Sequence, residues 1–293
     1  MEGRIRESLI VRLPLFAFLF VISAANLHAQ VTPVNDSGVT IGHIHLNVKD
    51  IEVQKKMWVE AFGATPVKLG PLETVRLPGI FIIFTRAEPT GPSQGSTVDH
   101  YGLAVKDLAA TQAKVTAAGG QVQGQFVNFP DGVRLELLED TTLTVPVVGH
   151  HIHLFTSADA AMVRDWYVKT FGGTPGTRRG TMPTANFPAA ATFPGGEVDV
   201  LAQGGGGGRG GRGGGAPAAA PAAAAQAPTK GRAIDHIGFE VKNLEEFCKK
   251  LQAQGITFET PYRDLTAQLG LKIAFIADPV GTRIELTEGL AGK

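Results

Sequence analysis

Seven of the eight histidines in this chain fall at the starts of four similar segments; the eighth, His28, lies near the N-terminus. The segments read His43-Ile44-His45-Leu46, His100-Tyr101-Gly102-Leu103, His150-His151-Ile152-His153-Leu154 and His236-Ile237-Gly238-Phe239. Two nearly identical endings follow, Arg134-Leu135-Glu136-Leu137 and Arg283-Ile284-Glu285-Leu286. Each half of the chain therefore carries His, His and Glu in the same order. Two neutral imidazoles and a carboxylate form the donor set that a borderline divalent metal accepts, whether Zn, Fe(II), Mn, Co or Ni. Its duplication at matching places reads as a metal-site architecture.

The elements that position these donors repeat as well. His43 to His100 spans 57 positions, and His151 to His236 spans 85, or 58 once the 27 residues Gly204–Lys230 are set aside. Each unit opens with a strand and passes to an amphipathic helix, near Asp50–Phe62, Asp107–Ala118, Ser157–Phe171 and Asn243–Gln254. Glycine follows each helix, at Gly63, Gly119, Gly172 and Gly255, as a helix C-terminus prefers. Short apolar strands with turn signals such as Phe129-Pro130-Asp131-Gly132 complete the unit. The repeat is β-α-β-β-β, present four times, which predicts an α+β fold.

Period-two alternation sets the direction of the key side chains. Ile44, Leu46 and Val48 share a face that suits packing under a helix, leaving His43, His45 and Asn47 opposite. In the second unit Tyr101, Leu103 and Val105 take the apolar face, leaving His100, Gly102 and Ala104 on the other, where small residues leave room against the sheet. Leu135 and Leu137 face the core while Arg134 and Glu136 face away; Ile284 and Leu286 do the same against Arg283 and Glu285. By this alternation His150 points toward the core side. Trp58, Tyr167 and Cys248 read as core residues. Arg134 and Arg283 read as ion-pair partners beside the glutamates.

Composition narrows the function classes. With 27 basic and 27 acidic residues the formal charge is zero, which offers no electrostatic footprint for nucleic acid or an anionic membrane. The single cysteine excludes an intrachain disulfide and a cysteine-cluster metal site. Arg4, Arg6 and Arg12 precede the apolar run Leu13 to Ala25, and Ala29 offers a small residue before a cut at Gln30. This predicts an export signal over residues 1–29, and hence a periplasmic or secreted protein. The Gly-, Ala- and Pro-rich tract 204–230 cannot bury a core and predicts a disordered insert.

The pattern His-x-h-h-x-V-x-D before a helix ending in aromatic-x-x-x-(Phe/Leu)-Gly, with Gly-x-(Arg/Lys)-h-Glu-Leu at the end, resembles the vicinal-oxygen-chelate superfamily. Its members include glyoxalase I, extradiol dioxygenases, fosfomycin-resistance enzymes and bleomycin-sequestering proteins. The resemblance implies modules paired into two half-open barrels, each around a divalent metal. Modules in that family pair within a half, across halves or across subunits, so an oligomer stays open. The expected domains are residues 39–142 and 148–290, with ligands His43, His100 and Glu136 in one and His151, His236 and Glu285 in the other. Asp199 falls where glyoxalase I carries an additional carboxylate ligand, while the matching strand Ile80 to Phe84 offers no donor. The resemblance further implies a small oxygen-chelating substrate, with Glu285 and Glu136 as proton-moving carboxylates. His45, His153 and Arg283 are candidates for substrate contact. The 36 positions from His100 to Glu136, against 49 from His236 to Glu285, predict that the second unit lacks about one strand and turn. On this reading the second half is the catalytic one. A metal-free or structurally metallated cup that only binds a small molecule is the alternative.

Overall fold

The computed structural model describes residues 31–176, 189–202 and 225–293. The expected export segment and residues 204–224 of the expected insert lie outside the described residues. Four modules follow one another. The first comprises β1 (Val39–Val48), α1 (Ile51–Phe62), β2 (Thr65–Leu69), β3 (Leu72–Leu77) and β4 (Ile80–Arg86). The second comprises β5 (Val98–Val105), α2 (Leu108–Ala117), β6 (Gln121–Gln123), β7 (Phe126–Asn128) and β8 (Arg134–Glu139). The third comprises β9 (Val147–Thr156), α3 (Ala160–Phe171), β10 (Thr174–Gly176), β11 (Ala189–Phe193) and β12 (Gly196–Ala202). The fourth comprises β13 (Ile234–Val241), α4 (Leu244–Ala253), β14 (Phe258–Leu265), the short α5 (Thr266–Leu269), β15 (Leu271–Ala277) and β16 (Arg283–Glu288).

Local chemistry sets the helix limits. The Asp50 side chain accepts from the backbone N–H of Glu52 and Val53, and Gly63 ends α1 in the left-handed conformation at φ 68°. Asp107 and Asp159 cap α2 and α3 in the same way. Such caps satisfy N–H groups that a first turn leaves open. Asp159 caps α3 two residues beyond the start expected at Ser157.

The strands form two sheets of eight, ordered β14-β15-β16-β13-β1-β4-β3-β2 and β10-β11-β12-β9-β5-β8-β7-β6. The first module thus pairs with the fourth, and the second with the third. This corrects the expected division into 39–142 and 148–290, because neither half forms a sheet of its own. The seams are antiparallel: β1 lies against β13 and β5 against β9.

Side-chain size at the seams explains the choice. Both β1 and β9 carry a bulge, at Gly42 and His150 respectively, where the register slips by one residue. A Cβ at Gly42 would lie 3.0 Å from the backbone nitrogen of Glu240 and 3.2 Å from its Cβ. The residue of β5 that corresponds to Glu240 is Ala104. Glycine thus meets the large partner and histidine the small one; exchanging partners would set His150 against Glu240. The chain crosses between sheets through residues 87–97 and 225–233, which pair with each other through Thr90 N–H to Gly231 O, Ala233 N–H to Gly91 O and Thr97 N–H to Ala227 O, at 2.8–3.0 Å.

That crossing also corrects the expected extent of the insert. Residues 225–230 are ordered, with Ala227 bridging Ser96 and Thr229 buried against the backbone of Arg283. The second module, expected to lack a strand, keeps all of them; β6 and β7 are shortened to three residues each, against eight and seven in β14 and β15.

One apolar core serves both sheets. Trp58 and Phe62 of α1 pack on Phe129 of the second module, and Phe171 of α3 stacks on Phe239 of β13 at 4.3 Å. Trp58, Tyr167 and Cys248 are buried, as their places in the helical pattern require. Among the described residues no helix is long and apolar enough to cross a membrane.

The crossed pairing has a direct test. Fragments 31–146 and 147–293, produced separately, should each bind no metal, and mixing them should restore binding. Binding by either fragment alone, measured by elemental analysis after gel filtration, would contradict the strand order.

Candidate metal centres

Each sheet seam gathers three imidazoles and one carboxylate. His43 and His45 of β1 meet His236 of β13 and Glu285 of β16; we call this the outer centre. His100 of β5 and Glu136 of β8 meet His151 and His153 of β9, the inner centre. In each, one donor atom per residue lies within 4.8 Å of all the others. The expected trios are therefore corrected: every histidine and glutamate expected as a ligand is in a centre, but each centre draws from both halves of the chain. The ranking of halves falls with them.

The donor separations match a bound ion. Two donors bound at right angles about 2.1 Å from an ion lie about 3.0 Å apart. Glu285 Oε2 is 3.0 Å from His43 Nε2 and 2.9 Å from His236 Nε2. Glu136 Oε2 is 3.1 Å from His151 Nε2 and 3.4 Å from His100 Nε2, and those two nitrogens are 3.4 Å apart. Imidazole and carboxylate suit the borderline divalent metals.

The glycines at the seams exist for the imidazoles. Opposed residues are His43 with Gly238 and His151 with Gly102. A Cβ on Gly238 would lie 2.0 Å from the His43 ring, and one on Gly102 2.0 Å from the His151 ring. The space that the sequence left open against the sheet is thus filled by the partner module's ligand.

Behind the second histidine of each centre stands a carboxylate and behind that an arginine. His236 Nδ1–H donates to Asp235 Oδ1 at 2.6 Å, and Arg283 Nη1 donates to the same oxygen at 2.7 Å. His100 Nδ1–H donates to Asp99 Oδ1 at 2.8 Å, and Arg134 Nη1 donates to it at 2.7 Å. With Nδ1 committed, Nε2 is the nitrogen presented to the ion, a tautomer fixed from outside the ligand sphere. Each guanidinium also covers a phenylalanine, Phe126 at 3.8 Å and Phe275 at 4.2 Å. Arg283 further binds Glu259 through Nε and Nη2. This corrects its expected role at the substrate: its guanidinium holds Asp235.

Asp99 and Asp235 are absent from the sequence-based set because strict alternation turns them away from their histidines. The register slips at both, between Val98 and His100 and between Ile234 and His236. The bulge brings Asp and His to the same side. The repeated Asp-His dipeptide was the available signal. The bulge at His150 corrects that residue's expected direction: it turns toward His151 and Glu197 rather than the core.

Asp199 takes a different place from the one expected. It is fully buried on β12 opposite His153, with Glu197 opposite His151, so both share the face of the inner centre. It is not among the four clustered donors. His45 and His153, by contrast, lie inside the clusters; the His45 ring is 4.4 Å from that of His236 while its Nε2 bonds Thr85 at 2.8 Å.

Electrostatics keeps the carboxylates charged. Burial pushes Glu285 up, but hydrogen bonds with His236 and His43 outweigh it and hold the group well below the usual carboxylate range. Glu136 is held down in the same way by His100 and His151. Burial alone would lower His100 and His236, yet hydrogen bonds to Asp99 and Glu136, and to Asp235 and Glu285, raise both above the ordinary imidazole value. Burial dominates at His43 and His45, which are lowered. These are sites built to attract positive charge between fixed anions.

Residues 149–286 match the family model described as Glyoxalase/Bleomycin resistance protein/Dioxygenase superfamily. The match spans the third and fourth modules, which are thus similar to that family, and the strand order pairs β-α-β-β-β modules two by two. Among solved structures, a point mutant of glyoxalase I from Zea mays aligns over 87% of this chain and 94% of its own, with TM-score 0.60 and 16% identity. A putative dioxygenase from Bacillus subtilis aligns over 89% and 86%, with TM-score 0.58 and 15% identity. At these identities the likeness is one of fold. No curated protein matches the chain.

The glycines provide the sharpest check on the geometry. Gly102→Ala and Gly238→Ala should each reduce bound metal from two ions per chain to one, and the overpacking should cost about 1–3 kcal/mol of stability. Retention of both ions in either variant, by elemental analysis, contradicts the placement of the imidazoles.

Proposed function

We propose that the chain is a divalent-metal-dependent enzyme of the glyoxalase/dioxygenase type, acting on a small molecule that presents two adjacent oxygens, with the inner centre as the reactive one. The observation that carries this reading is the convergence of two imidazole nitrogens on one ionised carboxylate, twice, at metal-ligand separations. A bound divalent cation supplies Lewis acidity toward chelated carbonyl, enediolate or catecholate oxygens. Zn, Fe(II), Mn, Co and Ni all accept this donor set.

The protein's own part follows from the residues around the inner centre. His100, His151 and Glu136 would hold the ion, and Asp99 with Arg134 fixes the ring of His100. Glu136, the carboxylate among these residues, would take a proton from a substrate carbon in an isomerisation, and in a dioxygenation it would stay with the ligand set.

The two cups differ in what else faces them. Beside the outer centre, Phe81 and Ile83 of β4 stand opposite His43 and His45, and they pack with Val31, Leu69, Leu271 and Leu290 in an apolar cluster of their own. The Glu240 carboxylate accepts three backbone N–H groups, from Gly289, Leu290 and Ala291, and so pins the C-terminal turn over this cup. At the positions of Phe81 and Ile83 the inner centre has Glu197 and Asp199. A filled apolar cup favours structure; a polar one favours substrate.

Export over residues 1–29 is part of the proposal, supported by the Arg4, Arg6 and Arg12 cluster before an apolar run. It places the substrate outside the cytoplasm, where small dicarbonyl, hydroxy-acid or phenolic compounds are the fitting classes.

Turnover of a catechol and dicarbonyl panel, with each metal added in turn, tests the reading. Chelation should abolish turnover. Glu136→Gln should lower kcat/KM about 10-fold or more beyond any loss in Glu285→Gln. Equal losses would reject the inner centre as the reactive one, and absence of turnover with every metal would reject the enzyme.

A further inference from the structure

The two centres differ at one nitrogen. In each, the histidine contributed by the fourth or second module has its Nδ1 fixed by an aspartate. The histidine contributed by the first or third module does not share this symmetry. His43 Nδ1 is buried and has no hydrogen-bond partner among the described residues. Gly42, the residue before it, has no side chain to offer. In the inner centre that same bulge position holds His150, whose Nδ1 lies 3.0 Å from His151 Nδ1, the two rings meeting edge to face at 89°. The Glu197 carboxylate stands 3.9 Å from His150 Nδ1 and is fully buried. Phe81 takes the place of Glu197 beside His43.

A histidine that binds an ion through Nε2 carries its proton on Nδ1. A partner for that N–H orients the ring and makes the ligand nitrogen more basic. His151 Nδ1–H donating to His150 Nδ1 meets this need. Bulges at 42 and 150 are equivalent in the fold, so the contrast comes from residue identity alone.

We infer that His150 is a positioning residue for His151, and that its absence from the outer centre makes the two centres unequal, the inner one binding a divalent cation first and more tightly. The inference rests on the metal-binding reading above but does not depend on the reaction. It assigns His150 a task that neither the repeat pattern nor the ligand trios requires.

The test is a titration of the full chain with Co(II) alone, followed by competition with a chelator and by the visible d–d absorption of the bound ion. Wild type should show two classes of site separated by about 10- to 100-fold in affinity. The tighter class is identified by its loss in Glu136→Gln. His150→Leu should weaken that class by about the same factor, bringing the two together, and should alter its d–d spectrum while leaving the weaker class unchanged. His150→Asn, whose side-chain oxygen accepts from the same N–H, should restore both affinity and spectrum. Two sites of equal affinity in wild type would overturn the inference. So would a His150→Leu variant that keeps the tight class, or a His150→Asn variant as weak as His150→Leu. If wild type binds no Co(II), the metal reading itself fails and takes the inference with it.

Discussion

At the middle of each sheet, two antiparallel strands from different modules approach so closely that the imidazole of one occupies the volume where the other would carry a Cβ. His43 lies over Gly238 and His151 over Gly102, with ring atoms 2.0 Å from that position. Nearly everything about the centres follows from this contact. It brings the histidine of one module within reach of the terminal glutamate of the other, and it makes neither module sufficient alone. Because the opposed residue is glycine, the ring is located by backbone, which yields far less than a side chain. Core packing of this tightness fixes a ligand's position before any ion arrives.

A second layer acts through bulges. An ordinary strand sends Asp99 and His100, or Asp235 and His236, to opposite faces. One extra residue in the ladder turns both inward, so the carboxylate reaches Nδ1 and the arginine at the start of the neighbouring strand reaches the carboxylate. The same device at Gly42 and His150 sets the two centres apart. Three chemical features of this protein therefore depend on places where the sheet is locally irregular.

Those irregularities mark where sequence reading ran out. Regular features were legible: the fourfold repeat, helices bounded by aspartate and glycine, the apolar faces of the strands, and the seven donors His43, His100, His151, His236, Glu136, Glu285 and Asp199, six of which lie in the clusters. Their partnership was not legible, since all four openings carry similar residues and the complementarity of Gly42 with Glu240 and His150 with Ala104 emerges only at the seam. Asp99 and Asp235 were hidden by alternation, though the Asp-His dipeptide recurs in plain view. Spacing misled at the second module, because a deficit of 13 positions can shorten two strands instead of deleting one. Ala227 and Thr229 belong to a compositionally simple tract, yet they are ordered by hydrogen bonds that composition does not encode.

The strand order also nests the chain like a pair of brackets, the second and third modules closing inside the first and fourth. The inner seam joins His100 to His151, 51 positions apart, whereas the outer seam brings the equivalent His236 to His43, 193 positions apart. During synthesis the inner sheet can close soon after β9 emerges, but β1 waits with an unpaired edge until β13 is made. An exposed strand edge is a template for pairing with another chain. The last module to be made is thus the one that removes this hazard, and loss of long-range closure by a late truncation leaves β1 open to self-association while the inner sheet stands complete. The protein's vulnerability in folding lies at its first strand and is cured only by its last module.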